Sequence, residues 1–242
     1  MKTGRVYTQG GVKFKDGTIQ LSASSLDNIP YDNPAYPELD TVRKALDHVL
    51  FFPLEVNLSG GSSFTKGREI DGNNITLNWN VNKEPIYQSL NQNIGILNNT
   101  TRTYNLSGFI FTQNTTFTLT VRSTKTNGDI EEDNNSTSIR FLDLRFWGTH
   151  PNSDITNSQL MTLNSELSTN RKQTRTLDGN GEYIYFAYPT YMGKASFIIG
   201  GFSTVLERKT MQVINDYNHI EDYYVYKTPH VQTGTDINIK VN

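Results

Sequence analysis

The sequence predicts an all-β protein, built as two β-sandwich domains behind an N-terminal arm, with one or two short helices. Three observations predict it. Aromatic and β-branched residues arrive in short bursts separated by Gly, Pro and Asn, most densely over residues 182–227, and this is the vocabulary of strands and turns. Two runs alternate strictly: Ile75, Leu77, Trp79 and Val81 on one face of the first, Phe117, Leu119 and Val121 on one face of the second. Helical periodicity, by contrast, is confined to two short stretches.

Taken in order, residues 1–36 read as a small arm. Val12 and Phe14 alternate with lysines, Asp16-Gly17 supplies a turn, and Ile19 and Leu21 alternate again, which is a hairpin signal. Pro30, Pro34 and Pro37 then force an extended linker. The spacing predicts a helix over 41–50, capped by Asp40 or Thr41, with Val42, Ala45, Leu46, Val49 and Leu50 on one face and Pro53 ending it. A helix so short needs support for its stripe, either from its own chain or from copies of itself in a bundle. Val12, Phe14, Val42, Leu46 and Val49 are therefore the candidate assembly residues.

Residues 54–139 carry the two alternating runs, with turn signals at Gly60-Gly61, Asp71-Gly72, Asn91 to Asn93 and Asn127-Gly128. A strand-borne Trp79 in a domain of this length suggests an immunoglobulin- or fibronectin-like sandwich without a disulfide. Residues 140–242 read as a second β-sandwich. Thr156 and Gln159 form a capping box ahead of Leu160, Leu163 and Leu167, which predicts a short helix with those leucines on one face. Asp178-Gly-Asn-Gly reads as the tip of a hairpin joining 174–177 to 183–188. Further strands are expected at 195–199, 210–214, 223–226 and 237–241.

Composition narrows function by exclusion. The chain has 242 residues, 22 Lys+Arg against 24 Asp+Glu, and a net charge of −2, so it lacks the basic footprint of a nucleic-acid or anionic-membrane binder. No apolar run is long enough to span a bilayer. The first residues, Met-Lys-Thr-Gly-Arg-Val-Tyr, lack the apolar core of a secretory signal. With no cysteine, thiolate chemistry, disulfides and thiolate metal sites are excluded. Sequons such as Asn57, Asn74 and Asn114 are what a chain rich in Asn, Ser and Thr produces by chance.

No catalytic constellation is legible, and neither enzyme activity nor a cofactor is expected. His48, His150, His219 and His230 show no zinc-ligand spacing, so no metal site is expected either. Asp129, Glu131, Glu132 and Asp133 read as a solvated hairpin tip, with a weak calcium site as the alternative. The 13 Tyr and 12 Phe are the more telling inventory. Tyrosines fall on both faces of the late strands, giving more aromatic surface than one sheet face can bury, so a partner surface is the expected sink. Trp147, Tyr183, Tyr185, Tyr191, Tyr224 and Tyr226 are the candidates for an intersubunit face or a platform on which sugar rings stack.

The order of several short motifs carries a resemblance. Thr41-Val42, Ala45-Leu46-Asp47 and Leu50 are followed by Leu77-Asn-Trp-Asn-Val-Asn-Lys83, Gln88-Ser-Leu-Asn91, Arg102-Thr-Tyr104 and Thr116-Phe-Thr-Leu-Thr120. Phe146-Trp-Gly148, Tyr183-Ile-Tyr-Phe-Ala-Tyr-Pro189, Gly201-Phe202 and Tyr223-Tyr-Val-Tyr226 close the series. Over residues 39–242 this resembles a family of structural proteins of tailed bacteriophages, found among tail, baseplate and fibre components. The resemblance implies a virion protein assembled in the bacterial host cytoplasm, present in several copies and contacting other virion proteins, without catalytic residues or cofactor. It leaves the arm outside, and a variable end of that kind is often where such proteins dock. The other function to weigh is a receptor- or carbohydrate-binding module that recognises a host surface glycan.

Overall fold

Alternation sets the architecture. In the computed structural model, which describes residues 52–125 and 128–242 and the backbone of three short strands before them, the protein is all-β with few short helices. The early strands are β1 (Val6–Thr8), β2 (Gly11–Lys13) and β3 (Ile19–Leu21). They pair antiparallel as β1-β2-β3, with Val12 opposite Gln20, so the expected hairpin gains a third strand. Phe14, the linker and the predicted 41–50 helix with Val42, Leu46, His48 and Val49 lie outside the described residues.

The next strands are β4 (Val56–Ser59), β5 (Ser62–Thr65), β6 (Ile70–Asp71), β7 (Thr76–Val81), β8 (Tyr87–Leu90) and β9 (Gly95–Leu97). After them come β10 (Thr103–Asn105), β11 (Ile110–Phe111), β12 (Thr115–Thr124) and β13 (Ile130–Leu142). One sheet runs β10-β7-β4 and another β5-β13-β12-β8-β9, with β5 parallel to β13. The predicted inward sets hold except at Val81, which is half-buried: Leu77, Phe117, Leu119 and Val121 are fully buried, and Trp79 and Ile75 nearly so. Trp79 Nε1 donates to Gln88 Oε1 at 3.1 Å, tying β7 to β8. Gln88 Nε2 donates in turn to the carbonyls of Asn98 and Thr101, so both polar side chains are satisfied.

The acidic run is a solvated tip only in part: Asp129 precedes β13 and is exposed, as is Glu132. Glu131, Glu132 and Asp133 lie within β13, where Glu131 accepts from Leu54 N at 3.1 Å and Asp133 from Val56 N at 2.8 Å. The carboxylates stand in for a missing strand partner at the start of β4, and Glu131 also pairs with Lys83. A local reading placed them in a loop because their backbone partners are 77 residues away.

The remaining elements are β14 (Leu144–His150), α1 (Asn157–Leu160), β15 (Asn164–Leu167), β16 (Gln173–Leu177) and β17 (Tyr183–Pro189). They are followed by β18 (Phe197–Ile199), β19 (Phe202–Thr204), β20 (Glu207–Ile214), β21 (Ile220–Lys227) and β22 (Ile237–Val241). Two sheets result, β15-β14-β17-β21-β20 and β16-β22-β18-β19. Between them lies a core of Ile184, Phe186, Tyr188, Phe197, Tyr226 and Ile239. The opposite face of β17 is also covered, by a second core of Phe146, Ile155, Leu160, Tyr185, Tyr223 and Val225.

Two local expectations are corrected here. The Thr156–Gln159 capping box is present, but α1 is a single turn, and Leu167 belongs to β15 rather than to a helical stripe. Residues 178–182 are not a hairpin tip: β16 pairs with β22 whereas β17 pairs with β14 and β21, so this segment crosses from one sheet to the other. Tertiary contacts hold it there, with Gly179 N bonded to Gly234 O and Gly181 N to Gln232 O, both at 2.8 Å. A Cβ on Gly179 would stand 2.2 Å from Gln232 O, so only glycine fits.

The chain forms two compact units interleaved in sequence. Among the described residues, one takes 52–57, Trp79–Arg102 and Thr118–Asn135, the other Leu58–Asn78, Thr103–Phe117 and Ser136–Asn242. The division expected between 139 and 140 falls inside β13, so the compact units are not simply consecutive segments.

Candidate functional site

The alternation Phe141, Leu142, Leu144, Phe146 is interrupted by one acid, Asp143, at the junction of β13 and β14. Its residue exposure is only 2%. A buried carboxylate must be paired and hydrogen-bonded to stay charged, and the surroundings supply both. Asp143 Oδ2 accepts from Lys66 Nζ at 2.6 Å and from the Tyr191 hydroxyl at 3.0 Å. Oδ1 faces His219 Nε2 at 3.5 Å, and Glu221 Oε2 lies 3.6 Å from the same lysine.

Each partner is placed by its own local structure. Lys66 follows β5 and is anchored by its backbone, its N–H donating to Leu142 O at 3.0 Å and its carbonyl accepting from Asn215 Nδ2 at 2.8 Å. His219 closes the tip of the β20–β21 hairpin, where Asn215 Oδ1 accepts from the backbone N–H of both Tyr217 and His219. Gly67 lets these two segments approach. Its φ is +83°, and a Cβ there would lie 2.8 Å from His219 Cβ. Tyr223 donates its hydroxyl to Leu144 O at 2.8 Å and forms another wall. Burial first, and the Asp143 charge second, push the hydroxyls of Tyr191 and Tyr223 upward, so both remain donors through the neutral range.

No sequence pattern had singled out this cluster. His219 and Glu221, two apart near the start of β21, were the available local signal, but Asp143 and Lys66 are remote in sequence and meet them only through sheet pairing.

The aromatic candidates are placed differently from the expectation. Tyr185 and Tyr226 are 1% and 3% exposed, and their hydroxyls are engaged inside the chain, Tyr185 donating to Asn152 O and Tyr226 accepting from Ala195 N. Neither ring is available to a partner or a sugar. Both faces of β17 are roofed, which is why tyrosines on both faces need no external sink. Trp147 and Tyr183 are half-buried under cations, Arg175 at 3.7 Å and Lys227 at 4.7 Å from the ring centroids. Tyr224 is half-buried beneath Arg208. Phe146 and Trp147 point to opposite faces without a bulge, because each face has its own core. Tyr191 is exposed over part of its ring, yet its hydroxyl serves Asp143.

A cleft of about 190 Å³ lies beside Tyr185, lined by Asp154, Glu207, Lys209 and Lys227. Its carboxylates are already matched, Asp154 with Lys209 and Glu207 with Lys227, and the Lys209 hydrogen bond holds Asp154 below the usual carboxylate range. The arrangement offers polar contacts to a small ligand.

The buried tyrosines make an alkaline prediction. Burial, aided by Asp154, pushes the Tyr185 hydroxyl from 10.0 up to about 12. In the unfolded chain it ionises near its ordinary value, so its stabilising contribution is complete below that value and is lost as pH rises towards the folded one. After allowance for solvent screening, on the order of 1 kcal/mol is expected to disappear across this window. Denaturant midpoints measured against pH should fall there, and Tyr185→Phe should flatten the decline; an unchanged slope would refute the assignment.

Comparison with protein-family models, with curated proteins and with solved structures gives no match to this chain.

Proposed function

We propose that this protein is a structural component of a tailed-phage virion, associated with the tail, baseplate or fibre, and that it acts by protein–protein assembly. The sequence resemblance over residues 39–242 supports the virion role, and one structural observation supports assembly. Edge strands carry exposed apolar side chains: Phe202, 77% exposed, lies on β19 at the end of its sheet, with Val205 just beyond at 86%, and Ile96 on the edge strand β9 is 74% exposed. An unpaired edge flanked by apolar groups is what strand addition by a neighbouring subunit uses. With near-neutral charge, association would rest on apolar burial and main-chain hydrogen bonds.

Gold-labelled antibody on purified particles tests the virion role directly. Label at the tail end is expected, whereas its absence from intact and gently disrupted particles would overturn the reading. The second reading, a glycan-binding module, is favoured by the polar cleft beside Tyr185 and would then lead. For assembly itself, the Phe202→Asp, Val205→Asp double variant should keep its unfolding midpoint, since both side chains face solvent, but enter particles at roughly a tenth of the normal level, the loss of about 1.4 kcal/mol of association energy. Normal incorporation would exclude this edge as the docking surface.

A further inference from the structure

We propose that Asp143, His219 and Glu221 form a binding site for a divalent transition-metal cation of the zinc type. The inference is independent of the virion reading.

Four observations carry it. One donor atom from each of the three residues can be chosen so that all lie within 4.8 Å of one another, on segments brought together from the β13–β14 junction and the β20–β21 hairpin. His219 Nε2 is buried and has no hydrogen-bond partner, although it faces a carboxylate oxygen. The 3.5 Å between Nε2 and Asp143 Oδ1 is long for a charge-assisted hydrogen bond. It is close to the edge of a tetrahedral shell, since donors at about 2.1 Å from a zinc ion stand about 3.4 Å apart. Finally, Asp143, His219, Glu221 and Tyr223 line a cavity of about 10 Å³, room for a single small occupant.

The surroundings are those of a prepared site. A metal-bound carboxylate is oriented by hydrogen bonds to its other oxygen, and here Lys66 and Tyr191 both bond Oδ2, leaving Oδ1 turned to His219. The backbone of His219 is fixed by its N–H bond to Asn215 Oδ1, and Gly67 packs closely against its Cβ. One nitrogen and two carboxylate oxygens suit Zn²⁺, Co²⁺ and Ni²⁺ better than Mg²⁺, which favours an all-oxygen shell.

The test uses the full chain and the metal ions alone. Zn²⁺ is expected to raise the thermal midpoint reversibly, with chelator restoring the original value, and Mg²⁺ to leave it unchanged. Calorimetric titration should show His219→Ala weakening Zn²⁺ binding by about 100-fold, at the upper end of what disturbing a metal site costs. Should His219→Ala fail to fold, Glu221→Gln, which keeps the side chain's shape, is expected to show the same loss. Co²⁺ should give the visible absorption of a low-coordinate site in the parent and not in these variants. No midpoint shift at millimolar Zn²⁺ would overturn the proposal. So would Zn²⁺ binding that survives His219→Ala, or that is removed by substituting His150 or His230 instead.

Discussion

Replacing Phe186 with alanine is expected to destabilise the protein by about 4 kcal/mol, as deletion of a fully buried aromatic ring does when its surroundings cannot collapse into the space. Phe186 is 0% exposed and sits on the central strand β17, with Trp147 of β14 and Tyr226 of β21 opposite it. Its ring meets Phe197 of the other sheet at 5.6 Å between centroids. Because β17 is hydrogen-bonded on both edges and covered on both faces, it cannot shift toward the cavity without breaking contacts elsewhere. Urea denaturation of Phe186→Ala against the parent measures the loss, with Phe202→Ala as a surface control expected within about 0.5 kcal/mol. A Phe186→Ala loss below about 1 kcal/mol would mean that the two sheets do not enclose this ring as described.

Lys66→Met is expected to cost about 3 kcal/mol, because it strands the Asp143 carboxylate in the interior without its counter-charge. The asymmetry of burial matters: Asp143's side chain is 2% exposed while that of Lys66 is 31% exposed, so removing the lysine should cost more than removing the acid. Pairing Lys66→Met with Asp143→Leu should bring stability back to within about 1 kcal/mol of the parent, since an apolar pair needs no compensation. The cycle is read from unfolding midpoints of the four proteins. Equal stability of Lys66→Met and the parent would show that the ion pair is not what keeps Asp143 tolerable. Failure of the double variant to recover would locate the cost in lost packing of the lysine stem over Tyr191, whose ring centroid is 5.0 Å from the ammonium.

These two residues mark how unevenly the sequence could be read. Phe186 lies in a run of aromatic and β-branched residues that is strand-like on any local criterion, and the structure makes it a strand. The alternating sets around Leu77 and Leu119 and the Thr156 cap were likewise legible, because side-chain period and capping are properties of neighbouring residues. The number of faces that β17 buries was not. Alternation implies one wet face, but a roof contributed by Ile155 and Leu160 turns the second face into a core and absorbs tyrosines that otherwise look destined for a partner. For the same reason, residues 178–182 have the composition of a hairpin turn yet connect two sheets, since turn residues specify a bend and not which strand lies beyond it.

The candidate site was the least legible part. Lys66, Asp143, Tyr191, His219 and Glu221 each have an unremarkable local context, and their spacing along the chain matches no ligand pattern. By itself the sequence determined the β class, the inward faces of the main strands, the lack of thiol chemistry and the helix cap, all of which follow from composition or from interactions a few residues apart. Only the tertiary structure decided which strands are neighbours, that β17 is buried on both sides, and that one acid at a strand junction meets a lysine, a tyrosine and a histidine. Those outcomes depend on pairings between residues some 75 positions apart, as between Lys66 and Asp143, and local propensity carries no information about them.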